Sequence, residues 1–378
     1  MVIKNAKICD KDGLREGNFT IEDRTDNVLD AKGSYLIPAI VDLNVSLQDG
    51  ILNSQNIKKL SNEAMEGGIG HIILNANCSP AIDTQSVFEF AQNGLRDANG
   101  AKVDLMLNAL KEDGSLSDIA ILLKRGAVAV YMSTIAKNDI AIKIAEYIQM
   151  YGGTLFCKAE DNSLKKSGVM LDGDTNAKLG LAGIPDLSEV LHVSRMIEIA
   201  RHFKIKILFK SIASPRSISL ITQAKKEGVE VSCEVSLHHL INSDEACTNF
   251  NTTAKLDPPL ASKDDVVELQ KALKNNQIDL LTTLHQPSSP LNKEVAFFDA
   301  AYGCESLSDA LALYYTKLVK PGIITMQRLV ELISINPLEV INKKTSYILF
   351  NPEETYVIKN ENSLYDGEMI FGKVTILK

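Results

Sequence analysis

The sequence predicts an α/β fold: a (β/α)8 TIM-like barrel with a small β-sandwich domain formed from both chain termini. Three observations predict it. From about Gly33 onward, short apolar runs rich in β-branched residues alternate with segments of helical periodicity. Several runs are apolar nearly throughout, as strands covered by helices on both faces must be. Both ends break this rhythm and read as short strands and turns. The expected division is residues 1–36 plus 338–378 for the composite β domain and 37–337 for the barrel.

The runs follow in order: Ile37–Val45, His71–Leu74, Val103–Leu107, Ala127–Met132, Thr154–Lys158, Ile205–Lys210, Val229–Val235 and Ile278–Thr283. Eight consecutive units fit a closed barrel better than an open doubly wound sheet. Among the helices, Asp186 with Glu189 three residues on predicts an N-cap, and Val190, Val193, Ile197 and Ala200 then share one face up to Arg201. Val2–Asn5, Asn18–Ile21, Tyr347–Phe350, Tyr356–Ile358 and Val374–Leu377 are the short strands of the two ends. Neither end can bury a core alone, so pairing them is the economical solution.

Composition removes several function classes. Forty Lys and Arg against 48 Asp and Glu give a net charge of −8, with no basic cluster for nucleic acid or an anionic membrane. No apolar run approaches the ~20 residues of a bilayer span, and the first residues lack a signal-peptide pattern, so a cytoplasmic protein is expected. Cys9, Cys78, Cys157, Cys233, Cys247 and Cys304 show no C-x-x-C pair and read as reduced core thiols.

Chemistry in such a barrel sits at the C-terminal ends of the strands. On strand one, Val41, Leu43, Val45 and Leu47 face the helices, while Asp42, Asn44 and Ser46 face inward. Strand five turns Phe156, Lys158 and Glu160 to one side, strand six ends in Lys210-Ser211, and strand eight ends in Leu284-His285-Gln286-Pro287. His238-His239 follows strand seven, where adjacent side chains on an extended segment diverge and share no metal. His71, His192 and His202 carry no chemistry in this reading. Glu160, Asp161 and Glu234 admit two roles: an oxygen-rich metal site, or counter-charges for Lys158 and Lys210. Lys158 itself could be the amine of a metal-free Schiff-base lyase if burial or Lys210 lowered its pKa.

Leu36–Leu43 resembles the opening of the dihydroorotase branch of the amidohydrolase superfamily. Gly67-Gly68, Asn77-Cys78-Ser79-Pro80, Ala159-Glu160-Asp161, Gly180–Pro185, Ala224-Lys225, Glu234-Val235 with His238–Leu240, Pro258-Pro259-Leu260 and Thr283 with His285 and Pro287 follow in the family's order over nearly the whole chain. The resemblance implies zinc held by a His-x-His pair after strand one, an acidic or carboxylated Lys ligand after strand four and a His after each of strands five and six, with a catalytic Asp after strand eight. At those positions stand Asn44 and Ser46, Met132 or Ser133, Lys158, Ser211 and Leu284. Neutral amides and hydroxyls cannot replace zinc's imidazole, thiolate or carboxylate donors, and a Lys adds repulsion. No zinc or other cofactor is therefore expected.

The substrate-clamping Arg of the family is Gln48 here, and Gln48, Asn77, Asp257 and His285 are the possible residual ligand-binding residues. A Lys158 ammonium between Asp42 and Glu160, within salt-bridge distance of at least one of them, is expected to replace the metal, with Lys210 as the substitute. By the resemblance, the chain is similar to catalytically inactive dihydroorotase-like proteins of bacterial pyrimidine synthesis, which implies an oligomeric structural partner of aspartate carbamoyltransferase. The alternatives are a cyclic amide hydrolase, the Lys-based lyase, and a module binding a small molecule at the barrel mouth.

Overall fold

A computed structural model describes residues 1–21, 27–133 and 136–377. The two ends of the chain meet in one six-stranded sheet. Val2–Asp10 lies at its centre, with Gly13–Thr20, Val28–Asp30 and Tyr35–Pro38 paired around it, and Tyr347–Val357 and Met369–Ile376 extend the sheet from the far end of the chain. Tyr347–Phe350 pairs antiparallel with Tyr35–Pro38, so the junction into the barrel is also the junction between the termini. Ile3, Ala6, Ile8, Leu36, Leu349 and Leu377 form the core of this unit, each apolar residue turned from water. The expected boundary at residue 338 falls within a helix, Asn336–Ile341, ahead of the returning strand.

The barrel strands are parallel and follow the predicted runs closely. Strands one and two are Ile40–Val45 and Ile69–Leu74. Strand three is split at Met106 into Lys102–Leu105, which pairs with strand two, and Leu107–Asn108, which pairs with strand four. Strands four to eight are Val130–Met132, Thr154–Lys158, Lys206–Lys210, Val231–Ser236 and Leu280–Thr282. Gly67 shows why the chain places Gly-Gly before strand two: a Cβ there would lie 1.7 Å from the Leu307 carbonyl oxygen.

The helix Leu187–Phe203 buries Val190, Val193, Ile197 and Ala200 as its periodicity predicts. Its expected capping pair works differently. Asp186 has helical dihedrals, caps no amide and binds Arg216 at 2.8 Å, while Glu189 accepts the Ala213 and Ser214 amides at the start of the next helix, Pro215–Lys226. His238-His239 lies on a short helix, Leu237–Ile241, and is not extended. Among the described residues no helix is long and apolar enough to cross a membrane, and all six cysteines are buried and free.

The barrel seam between strands eight and one is closed by a side chain. Asp42, 1% exposed, accepts from the Thr282 hydroxyl at 2.7 Å and from the Thr283 hydroxyl and amide at 2.6 and 2.8 Å. Past the strand ends, backbone bonds from Ser46 to His285 and from Asp49 to Pro287 continue the closure. Asp42→Ala strips four donors of their acceptor, the Asn44 amide at 3.0 Å included, and should cost about 3 kcal/mol or more in a dry interior. Asp42→Asn keeps one acceptor oxygen and should cost less. Denaturant midpoints of the two variants check this ordering.

Candidate functional site

The C-terminal ends of the strands surround a small cavity of about 80 Å³, lined in part by Asn44, Ser46, Asn75, Tyr131, Lys210 and Ser211 at depth. Strand alternation puts these groups together: Asn44 sits two residues beyond Asp42 on the inward face of strand one, and its amide takes up the barrel axis. Asn44 Nδ2 donates to Ser211 Oγ at 2.6 Å and to Glu234 Oε1 at 2.7 Å, while its Oδ1 accepts from Asn75 Nδ2 at 2.9 Å. Asn75 also donates to Ser46 Oγ at 3.0 Å and accepts from Lys210 Nζ at 2.6 Å. Lys210 reaches the Leu43 carbonyl at 3.1 Å and lies 5.7 Å from the ring centres of both Tyr131 and Phe156. Lys210, 4% exposed, is the interior cation facing Asp42 and Glu234. Burial pushes the Lys210 pKa down and that of Glu234 up, each opposed by the other's charge.

A second charged cluster occupies the rim. Lys158 forms an ion pair with Asp257 and lies 3.8 Å from Glu160, and Lys165 reaches Glu160 at 2.9 Å and Asp257 at 3.8 Å. Burial opposes the Lys158 charge, but Asp257 and Glu160 outweigh it and hold the ammonium above the usual lysine range. Burial likewise opposes the Asp257 carboxylate, which Lys158 and Lys165 nonetheless hold below the usual range. A lysine kept charged in this way is the opposite of a Schiff-base nucleophile.

Several expected placements need correction. Of the two carboxylates expected beside Lys158, Glu160 lies within salt-bridge distance at 3.8 Å and Asp42 does not: the Thr282 and Thr283 donors hold Asp42 deep at the seam, and Asp257, from the loop after strand seven, takes its place. Gln48 does not line the mouth, because the short turn Gln48–Gly50 carries it outward to Lys59, 3.0 Å away. Strand four contributes Tyr131 to the cavity, and the next residue, Met132, is fully buried on the other side of the strand. Ser133 is half-buried and outside the cavity lining. Asp161 caps the turn at Ser163 and touches neither lysine.

Asn77, Asp257, Leu284 and His285 do line the mouth, with Lys158 and Glu160. His285 Nδ1 accepts from the Ser306 amide at 3.1 Å, which leaves the proton on Nε2 with no partner, and burial pushes its pKa down to about 3. The ring is therefore a neutral donor at the cavity wall. His238 is bound to Tyr365 at 3.0 Å, and His239 to Ser236 at 2.7 Å and to the Pro258 carbonyl at 3.1 Å, in separate directions.

No family model matches the chain. Curated relatives do. The chain is 32% identical to a protein named dihydroorotase from Elusimicrobium minutum (strain Pei191), over 98% of this chain and 90% of the relative. The chain belongs to the dihydroorotase family. A second dihydroorotase, from Caldanaerobacter subterraneus subsp. tengcongensis, is 31% identical over 92% of this chain and 85% of its own length. Among solved structures, the L-hydantoinase (dihydropyrimidinase) of Arthrobacter aurescens superposes with a TM-score of 0.84 at 19% identity, covering 98% of this chain and 93% of the neighbour. The dihydropyrimidinase of Brevibacillus agri gives 0.84 at 17% identity, covering 99% and 92%. These neighbours share the amidohydrolase barrel fold.

Zinc is the metal that the family resemblance implies, and the donors at this mouth do not fit it. Asn44, Ser46 and Ser211 are neutral, Leu284 is apolar, and Lys158 and Lys210 bring positive charge to the positions where cation ligands would converge. Among the described residues no three His, Cys, Asp or Glu are placed to hold a metal ion.

The two lysines should behave differently on removal. Lys210→Met leaves Asp42 and Glu234 without a cation and should cost about 3–5 kcal/mol. Lys158→Met should cost about 1–2 kcal/mol, because Lys165 remains beside both carboxylates and the site is a quarter exposed. The Asp257 contribution to stability is present above its unfolded value of about 3.8 and is lost as pH falls through the lower folded value. Asp257→Asn should therefore flatten the acid limb of the stability curve below about pH 4, read as urea midpoints across pH.

Proposed function

We propose that this chain is a non-catalytic, metal-free member of the dihydroorotase family, a cytoplasmic structural or regulatory partner of aspartate carbamoyltransferase in pyrimidine synthesis. The observation that carries this reading is the Lys210–Asn75–Asn44–Glu234 network, which fills the barrel axis with groups already bonded to one another. Ring opening or closure of a cyclic amide needs an activated water or amine and a base to take its proton. The groups here serve neither need. His285 has Nδ1 engaged by an amide and a proton on Nε2, and Asp257 is held as a carboxylate by two lysines. Lys158 stays charged and so does not support a lyase.

A second reading rests on His285, Asn77 and Asp257, which line the mouth with an unpartnered donor among them. Under that reading the chain is an active cyclic amidohydrolase, or a module that binds a small molecule. The purified chain, with and without added zinc, should neither interconvert carbamoyl aspartate and dihydroorotate nor retain metal on elemental analysis. Mixed with aspartate carbamoyltransferase from its own organism, it should form a complex visible by size exclusion with light scattering. Chelator-sensitive turnover with about one zinc per chain would favour the amidohydrolase, and a ligand-dependent rise in melting temperature without a complex would favour the binding module.

A further inference from the structure

The helix Asn138–Tyr151 follows strand four and packs on the barrel through Ala141, Ile144, Ala145 and Ile148. Its other face is turned to solvent. Asp139, Ile142, Lys143, Glu146, Tyr147 and Met150 are exposed along it, and Met150 is 74% exposed. Tyr147 stacks on Tyr151 with ring centres 6.2 Å apart, and Lys124, which ends the helix Ile119–Lys124, lies over the Tyr151 ring at 5.4 Å. Among the described residues Lys124, Asp139, Lys143 and Glu146 form no ion pair. The face therefore holds aromatic and aliphatic side chains in water together with free charges of both signs, the composition of a contact surface and not of a solvated one.

The order of these residues makes the face complementary to itself. At about 100° per residue, Lys143 and Glu146 lie on opposite sides of its midline, equally far along the helix from the level between Ile144 and Ala145, and Ile142 and Tyr147 do the same further out. A two-fold axis through that level, perpendicular to the helix, sets it antiparallel to its own copy and brings each residue against the other member of its pair. Lys143 then meets the partner's Glu146, and Ile142 meets the partner's Tyr147, each contact occurring twice. Asp139 falls at the level of the partner's Met150, at the end where Lys124 stands over Tyr151. Both acids of the face so meet a lysine, and its apolar groups meet each other. A stable dimer buries about 1,200–2,000 Å² in total, more than a single helix presents. The helices packed on either side, Ile119–Lys124 and Leu187–Phe203, extend the face with exposed Ile121 and Leu191.

We infer that this face joins two copies of the chain in a two-fold dimer, with the helix Asn138–Tyr151 packed antiparallel on its equivalent. The inference is independent of whether the chain is catalytic and of whether it binds aspartate carbamoyltransferase. The purified full chain is sized by light scattering and sedimentation over a range of micromolar concentrations, beside Lys143→Glu, Glu146→Lys and the exchange Lys143→Glu/Glu146→Lys. All these positions are exposed, so far-ultraviolet circular dichroism should match the parent and serves as the folding control. The parent should be a dimer. Each single reversal sets like charges together at two places and should weaken the dimer about tenfold or more. The exchange restores both pairs and should return the dissociation constant to within about threefold of the parent, and the two single variants should pair with each other when mixed. A parent that is monomeric throughout overturns the inference, as does a dimer that both single reversals leave within about twofold. Single reversals that weaken the dimer, with an exchange that stays weak, overturn the two-fold pairing. A monomeric parent whose complex with aspartate carbamoyltransferase is lost in the single variants overturns it in favour of that protein on the same face.

Discussion

The barrel depends on how its interior charges are balanced, and Asp42 is where the balance starts. Its carboxylate takes donors from Thr282 and Thr283 across the seam and the amide of Asn44 on its own strand. A carboxylate buried there is costly in a dry interior, a cost offset by a nearby cation. Lys210 supplies it. Once Lys210 occupies the axis, Asn75 must turn its oxygen toward the ammonium, which fixes its nitrogen toward Asn44 and Ser46. Asn44 in turn must present its own nitrogen to Glu234 and Ser211. Each amide orientation follows from the previous one, and a network of this kind resists partial change because one lost member strands its neighbours.

The two lysines divide the work by depth. Lys210 lies under the network with aromatic faces beside it and amide and carbonyl acceptors around it. Lys158 lies at the rim, a quarter exposed, in a four-membered cluster where two ammonium groups alternate with two carboxylates. The first is a structural counter-charge for a dry interior. The second ties the loop after strand seven, through Asp257, to the segment after strand five, through Glu160 and Lys165.

The barrel and its inward-facing residues were legible because parallel strands covered on both faces are nearly pure apolar runs, and a polar residue within one marks the interior. Asp42, Asn44, Ser46, Lys158 and Lys210 all stand out on that ground. What sequence could not supply was pairing at long range. Asp257 lies 99 residues from Lys158, on a loop without periodicity, and no local pattern distinguishes it from Asp42 as a partner. Tyr131 was missed for a different reason: strand four is three residues long, too short for alternation to set its phase, so matching by family position fell on Met132 and Ser133. Gln48 and Glu189 show a third limit, since a single turn of backbone sends one outward to Lys59 and lets the other serve the following helix.

The cost of desolvating charge indicates where the constraint on this chain lies. Lys255 and Lys293 are both buried, and each ammonium binds backbone carbonyls without a carboxylate in contact. Burial pushes both pKa values down, that of Lys293 to about 8. Holding two such groups out of water opposes folding, and the carbonyl bonds, with the Phe297 and Tyr302 rings beside Lys255, offset that cost. Neither forms part of the axial network that joins Lys210, Asn75, Asn44 and Glu234. What they impose is the path of residues 288–304, and that path keeps large apolar side chains in water. The path of residues 288–304 is thus set by buried ammonium–carbonyl bonds, while the interior below it is filled by its own side chains.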